Sequence, residues 1–311
     1  MPVHDAFFAH CRSALAGIPP WPPWSRGWCA AVAGILEAAA AKPGNVHPGR
    51  SFPDLTCADL SAAAIASAGV LAHADRNALG ETILAAVRAS RRASPSNANL
   101  GIVLLITPLA AAPTASLTAA VVDGLLAGLG PADAAAIWEA IALARPGGLG
   151  RSDRWDVAGP PPSDIVAAMR HAASRDTIAR LWSHGYADLF AGPVADLAQA
   201  AAAGMPLEEA IVRTHLLQLA REPDSLIARR HGTAVAHDVS RRAVALISRV
   251  GHGTWPAELV AFDSFLRHPR RLNPGTTADL VAAALYIVLR DGRLRPALPF
   301  TTPPFPEFAI P

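Results

Sequence analysis

The sequence predicts an all-α protein, a single multi-helix globular domain with a Pro-rich C-terminal tail. Two observations carry that expectation. Alanine dominates a chain of 311 residues that holds only 2 Tyr, a bias toward helix formers and away from the residues that favour strands. No short run alternates in the β-branched and aromatic manner of paired strands, while the breaks between apolar segments carry Gly, Pro, Asn or Ser, which stop helices. Hydrophobic residues make up 51% and charged residues 17% of the chain, enough apolar side chain for a large core and a composition unlike that of disordered segments.

In chain order, a short helix is followed by "IPPWPPWSRGW", whose prolines forbid helix. Helices are expected over 28–42, 56–74, 79–93, 99–112, 115–128, 131–144, 163–190, 193–203, 206–220, 224–248, 256–267 and 276–291. The first ends at Pro43-Gly44. Asn97 and Asn99 precede the most apolar one, and "PTASLT" breaks it from the next. Asp224 caps the 224–248 helix, and Asn273-Pro274-Gly275 forms a turn from which Thr276 or Thr277 caps the last. One domain is expected over 1–311, with its helical core at 28–291 and an extended tail at 292–311, where "PALPFTTPPFPEFAIP" is proline-rich. Residues 100–122 are uncharged and long enough to cross a bilayer, but Pro108 and Pro113 make them two segments of a buried core. No basic region followed by an apolar stretch opens the chain, and Cys11, Cys29 and Cys57 lack metal-ligand spacing. A soluble cytoplasmic protein is expected. The net charge of +2 argues against a nucleic-acid partner.

In so apolar a chain the informative residues are polar ones gathered at helix ends. "AKPGNVHPGRSFPDLT" supplies Lys42, Asn45, His47, Arg50 and Asp54, cations beside oxygen and amide ligands, as a nucleotide phosphate with Mg²⁺ requires. "SPSNANLGIVLL" holds Asn97 and Asn99, one more amide than a helix cap needs. In "RPGGLGRSDRWDV", Asp153 and Asp156 are candidate metal ligands and Arg151 and Arg154 candidate phosphate contacts. Further on, Asp176 and Arg180 read as an i,i+4 pair with His184 a turn beyond. "REPDSLIARRHG" is the densest basic cluster, with Arg229, Arg230 and His231 following Asp224. Within it Gly232 interrupts a helix at a cost of about 1 kcal/mol, which close ligand contact would explain. In "LNPGTTADLVAAAL", Asn273, Gly275 and Thr277 form a candidate phosphate or ribose turn, and Asp279 is a reserve carboxylate or a helix-opening residue.

Together these stretches resemble the triphosphoribosyl-dephospho-CoA synthase family. "KPGNV" followed by "PDL", "DSLIARRHG" and "LNPGTTADLVAAAL" are similar in order and distance to that family's motifs, from Lys42 to about Leu289. The resemblance implies an all-α transferase that moves the triphosphoribosyl group of ATP to dephospho-coenzyme A and releases adenine. Its product would become the prosthetic group of an acyl carrier protein. It further implies Mg²⁺, ATP and dephospho-CoA as partners, and allows a homodimer. On this reading Lys42, Arg229 and Arg230 hold phosphates, with His47, Asn97, Asn99 and Arg180 as further binding candidates. Asp54, Asp176 and Asp224 are the candidate catalytic carboxylates, and Asn45 joins the metal or ribose contacts. The chain departs from the family at Asn97-Ala98-Asn99-Leu100-Gly101, where Asn-Thr-His-Lys-Gly is usual, and at Leu226. It therefore resembles a divergent branch, similar to homologues from organisms that use methanopterin-type carriers. A ribosyl hydrolase and a non-catalytic nucleotide-binding protein are the alternatives. An isoprenoid-synthase-like enzyme is disfavoured because Asp153-Arg154-Trp155-Asp156 matches its Asp-rich motif poorly.

Overall fold

A computed structural model describes residues 25–94, 99–113, 117–148, 152–249 and 255–294. Ser25 opens helix α1 (Arg26–Ala39), its hydroxyl accepting from the Trp28 N–H. The helix is almost free of charge, and its glycines let it lie close to α2 (Cys57–Leu71). A Cβ on Gly34 would come within 2.6 Å of the Ala64 methyl. Thr56 and Asp59 form a reciprocal capping box at the start of α2, satisfying two of its orphan N–H donors. α3 (Leu79–Ala93) follows, then α4 (Leu100–Ala111), α5 (Ala119–Ala127) and α6 (Pro131–Ala144). Asp133 on α6 accepts from the N–H groups of both Gly130 and Gly80, clamping α6 onto the start of α3.

The predicted helix at 163–190 is broken. α7 (Ile165–Ala172) ends before Asp176, which starts α8 (Thr177–His184), and Gly185 turns the chain out at φ 99°. A π-helical turn at Phe190–Val194 leads into α9 (Ala195–Ala202) and α10 (Leu207–Arg221). The helix expected at 224–248 is likewise two, α11 (Ser225–His231) and α12 (Thr233–Ile247), because Gly232 at φ 93° takes a left-handed turn closed to most side chains. The glycine that looked costly inside one helix is the hinge between two. α13 (Trp255–Arg267) and α14 (Gly275–Arg290) complete the order, and no strand occurs among the described residues.

The core follows from α14. Every side chain from Leu280 to Leu289 is buried, and each large aliphatic one contributes about 1.5–3 kcal/mol relative to exposure. α1, α4, α10 and the π turn pack around it. A smaller apolar cluster of Leu216, Leu219, Ile227, Val239, Phe262 and Leu266 joins α10 to α13. The uncharged stretch at 100–122 behaves as core, with Ile102 to Ala110 buried without a break. No single described helix is long and apolar enough to cross a membrane. The pair α5 and α6 passes only when joined, and it is bent by 104°.

Candidate active site

Three sequence stretches far apart in the chain converge at the start of α14. The loop after α1 turns at Gly44, whose φ of 77° and close neighbours leave no room for a side chain. A Cβ there would lie 2.9 Å from Leu266 and Pro274. Asp263 on α13 holds this loop, accepting from the Gly44 N–H at 2.8 Å and from Arg50 and Arg267. The loop then delivers Asn45, whose Nδ2 donates to Asn273 Oδ1 at 2.7 Å. From the other side, Asp224 is 3% exposed; its Oδ1 accepts from Ile227 N, capping α11. Its Oδ2 accepts from both the N–H and the hydroxyl of Thr277 at 2.8 Å, capping α14. The threonines thus do not cap their own helix. A carboxylate of the chain occupies that helix start, and a phosphate need not.

These elements enclose a cavity of about 330 Å³. One wall is apolar, with Ile102, Leu104, Trp138, Ile141 and Trp155. Four arginines reach it (Arg175, Arg229, Arg230 and Arg271), as do four carboxylates (Glu37, Asp54, Asp176 and Asp279). Asp54 stands exposed and pairs with Arg271 at 2.5 Å, and that hydrogen bond holds its carboxyl below the usual range. Asp176 caps α8 through Ala179 N and pairs with Arg229. Asp279 is different: burial first, then the charges of Glu37 and Asp224, push its carboxyl well above the usual carboxylate range. Asn45 Oδ1 and the Nε atoms of Arg229 and Arg271 are buried without a hydrogen-bond partner among the described residues. The cavity therefore offers cations for phosphate, unfilled polar positions and an apolar face wide enough for a base.

Of the residues marked out in the sequence, the cavity gathers Asn45, Asp54, Asp176, Arg229, Arg230, Asn273 and Gly275. Several others serve the fold instead. Lys42 is fully buried, its ammonium held by Glu37 at 3.0 Å and by the carbonyls of Glu37 and Ala40, so it faces no phosphate. His47 lies in the loop, with Nδ1 accepting from Gly49 N, and burial and then Arg267 lower its pKa. Asn99 donates to Ser67 and Ser90, tying α2 and α3 to the start of α4. Arg180 does not pair with Asp176 as the i,i+4 spacing suggested, because Asp176 sits at the helix cap; it reaches Glu222 at 2.7 Å instead. Asp224 and Thr277 are spent on each other. Asp153 is 92% exposed beside His171, and Asp156 accepts from the backbone of Ser152 and Ala158, so they do not form a metal pair. Asn97 and Arg151 lie outside the described residues.

Glu37, Gly101, Arg175 and Arg271 went unread in the sequence. Glu37 carried a faint signal, as the lone acid of the uncharged run "GWCAAVAGILEAAAA". Gly101 had none, since its importance is the approach of α14: a Cβ there would collide with the Asp279 carboxylate.

No curated protein matches the chain. A crystal structure from Archaeoglobus fulgidus, reported under the provisional name triphosphoribosyl-dephospho-CoA synthase, is similar in fold. It has a TM-score of 0.58 and 22% sequence identity over 74% of this chain and 98% of that one. Residues 23–296 match the family described as CitG, ATP:dephospho-CoA triphosphoribosyl transferase. That match spans α1 to α14 and every cavity residue named above, and the chain belongs to this family of transferases.

Proposed function

We propose that the cavity binds ATP and transfers its triphosphoribosyl group to a hydroxyl of dephospho-coenzyme A, releasing adenine. The observation that carries this reading is the meeting of four arginines, four carboxylates and an apolar wall in one cavity, in a chain of this family. Arginine forks suit the triphosphate, which carries most of the donor's charge. The apolar wall suits the adenine. Breaking the N-glycosidic bond builds positive charge on the ribose, which a nearby carboxylate stabilises in the transition state.

Magnesium enters this reading as the counter-ion of the triphosphate. No group of three or more His, Cys, Asp or Glu fit to hold a metal occurs among the described residues. A triphosphate-bound magnesium ion needs only one or two protein carboxylates, and exposed Asp54 supplies one beside the arginines. When bound, the ion would neutralise phosphate charge. Cys29 and Cys57, both free among the described residues, and the use of ATP support a reducing, cytoplasmic setting.

The test is adenine release. The purified protein is incubated with ATP, Mg²⁺ and dephospho-coenzyme A, and free adenine and the ribosylated product are followed by chromatography. Adenine and product rising together, only with the acceptor present, are expected. Adenine with free triphosphoribose would make the protein a hydrolase, and ATP binding without adenine would overturn the transfer. Chelating the metal is expected to slow the reaction, and an unchanged rate would remove magnesium from the account.

A further inference from the structure

We infer that proton transfer in this reaction runs between two cavity carboxylates, Glu37 and Asp279, with Lys42 as the positioning residue that holds Glu37. This assignment deepens the triphosphoribosyl-transfer reading and rests on it. Glu37 is an acid in the last turn of an apolar helix, 4% exposed, yet it lines the cavity. Nothing in the packing of α1 requires a carboxylate there, and an unpaired buried charge is strongly destabilising. The chain compensates with Lys42, wholly buried and 3.0 Å from Glu37 Oε1, whose remaining donors go to the carbonyls of Glu37 and Ala40. A buried lysine whose partners are one carboxylate and two carbonyls serves to hold that carboxylate in place.

Asp279 faces the same cavity from the second turn of α14, set against Gly101 of α4, where only glycine leaves it space. No ion pair to it forms among the described residues. The charged groups that act on it most are Glu37, Asp224 and Asp176, all negative, and the cation Arg229. His215 of α10, beside Lys42, is kept neutral by burial and then by that ammonium. One carboxylate thus has a dedicated cation and the other does not, so the pair divides into a base and an acid. In the step, ionised Glu37 takes the proton of the acceptor hydroxyl as its oxygen bonds to the ribose C1. The C1–N bond breaks with its electron pair passing to adenine, and Asp279 gives its proton to an adenine nitrogen. Return of a proton from Glu37 to Asp279 resets the site, so the net transfer is from hydroxyl to adenine.

Adenine release is measured for the wild type and for Glu37→Gln, Asp279→Asn and Lys42→Met, with ATP affinity by calorimetry and Tm alongside. Each carboxylate variant is expected to lose about 100-fold or more in kcat while binding ATP within about threefold of wild type. Lys42→Met is expected to move the acidic limb of the kcat profile to higher pH, because Glu37 loses its counter-charge. A purely structural lysine would lower Tm and leave that limb in place, overturning its role. Glu37→Gln strands Lys42, so the double variant Glu37→Gln/Lys42→Met is measured too. It is expected to fold and to remain inactive, and activity in it would refute the assignment. If the wild type releases no adenine, the transfer reading itself fails. If the wild type is active and Glu37→Gln keeps more than about a tenth of kcat, only this inference fails.

Discussion

Arg230 and Asp279 show how two residues of one cavity answer to different physics. Arg230 is exposed and reaches the cavity over Gly147, where a Cβ would collide with its guanidinium. Removing it costs the fold little. Arg230→Met is expected to leave Tm within about 1 °C and to weaken ATP binding about tenfold or more, the scale of one charge-assisted hydrogen bond. Titration of ATP by calorimetry checks this, and an unchanged affinity would take Arg230 out of the phosphate site. Asp279 is the reverse case. Its folded carboxyl titrates well above the ordinary value of 3.8, so its contribution to stability is present below that value and is lost as pH rises toward the folded one. At neutral pH the ionisable group therefore opposes folding. Asp279→Asn is expected to raise Tm at neutral and alkaline pH relative to acid pH while activity falls. Melting curves across pH test it, and a uniform loss of Tm would contradict the sign.

At the scale of elements, helix ends are joined by single carboxylates. Asp224 serves the N-termini of both α11 and α14. Asp224→Ala removes both caps and leaves the buried Thr277 N–H and hydroxyl unsatisfied. The expected loss is about 3–5 kcal/mol by urea denaturation, from about 1 for each cap, the Thr277 N–H being counted in the second, and about 1–3 for the stranded Thr277 hydroxyl. Asp224→Asn keeps an acceptor and is expected to lose less than half as much. Gly44 fixes the loop that brings Asn45 to the cavity. Gly44→Ala is expected to destabilise by more than about 1 kcal/mol, since its φ of 77° is strained for alanine and its Cβ would press on Leu266, Pro274 and Leu272 O. A neutral result would show that the loop relaxes. The helices' existence and most of their bounds were legible, because apolar runs and stop residues are local signals. The breaks at Asp176 and Gly232 were not, since each joins two segments whose composition alone reads as one helix.

For the molecule as a whole, the arrangement of buried charge sets its response to acid. His215 is fully buried, and among the described residues neither ring nitrogen has a hydrogen-bond partner; burial, then Lys42, depress its pKa well below 6.5. The unfolded chain takes up a proton near that value and the folded one does not, so stability falls as pH drops below about 6.5. His215→Leu is expected to flatten this acid limb in denaturation measured from about pH 7 to 5. An unaltered limb would show that other groups govern it.

The sequence by itself determined the all-α class, the family and the motifs that meet at the site, since periodicity, stop residues and motif order are properties of the chain alone. It marked Asp54, Asp176, Arg229 and Arg230, because cations and carboxylates gathered at helix ends are conspicuous in an apolar chain. Only the tertiary structure decided that Lys42 points inward to Glu37 and that Asp224 caps two helices. Only it brought Glu37 and Asp279 into one cavity. The reason is physical: a charged residue acts according to its burial and its partner, and both are set by which helices pack against it.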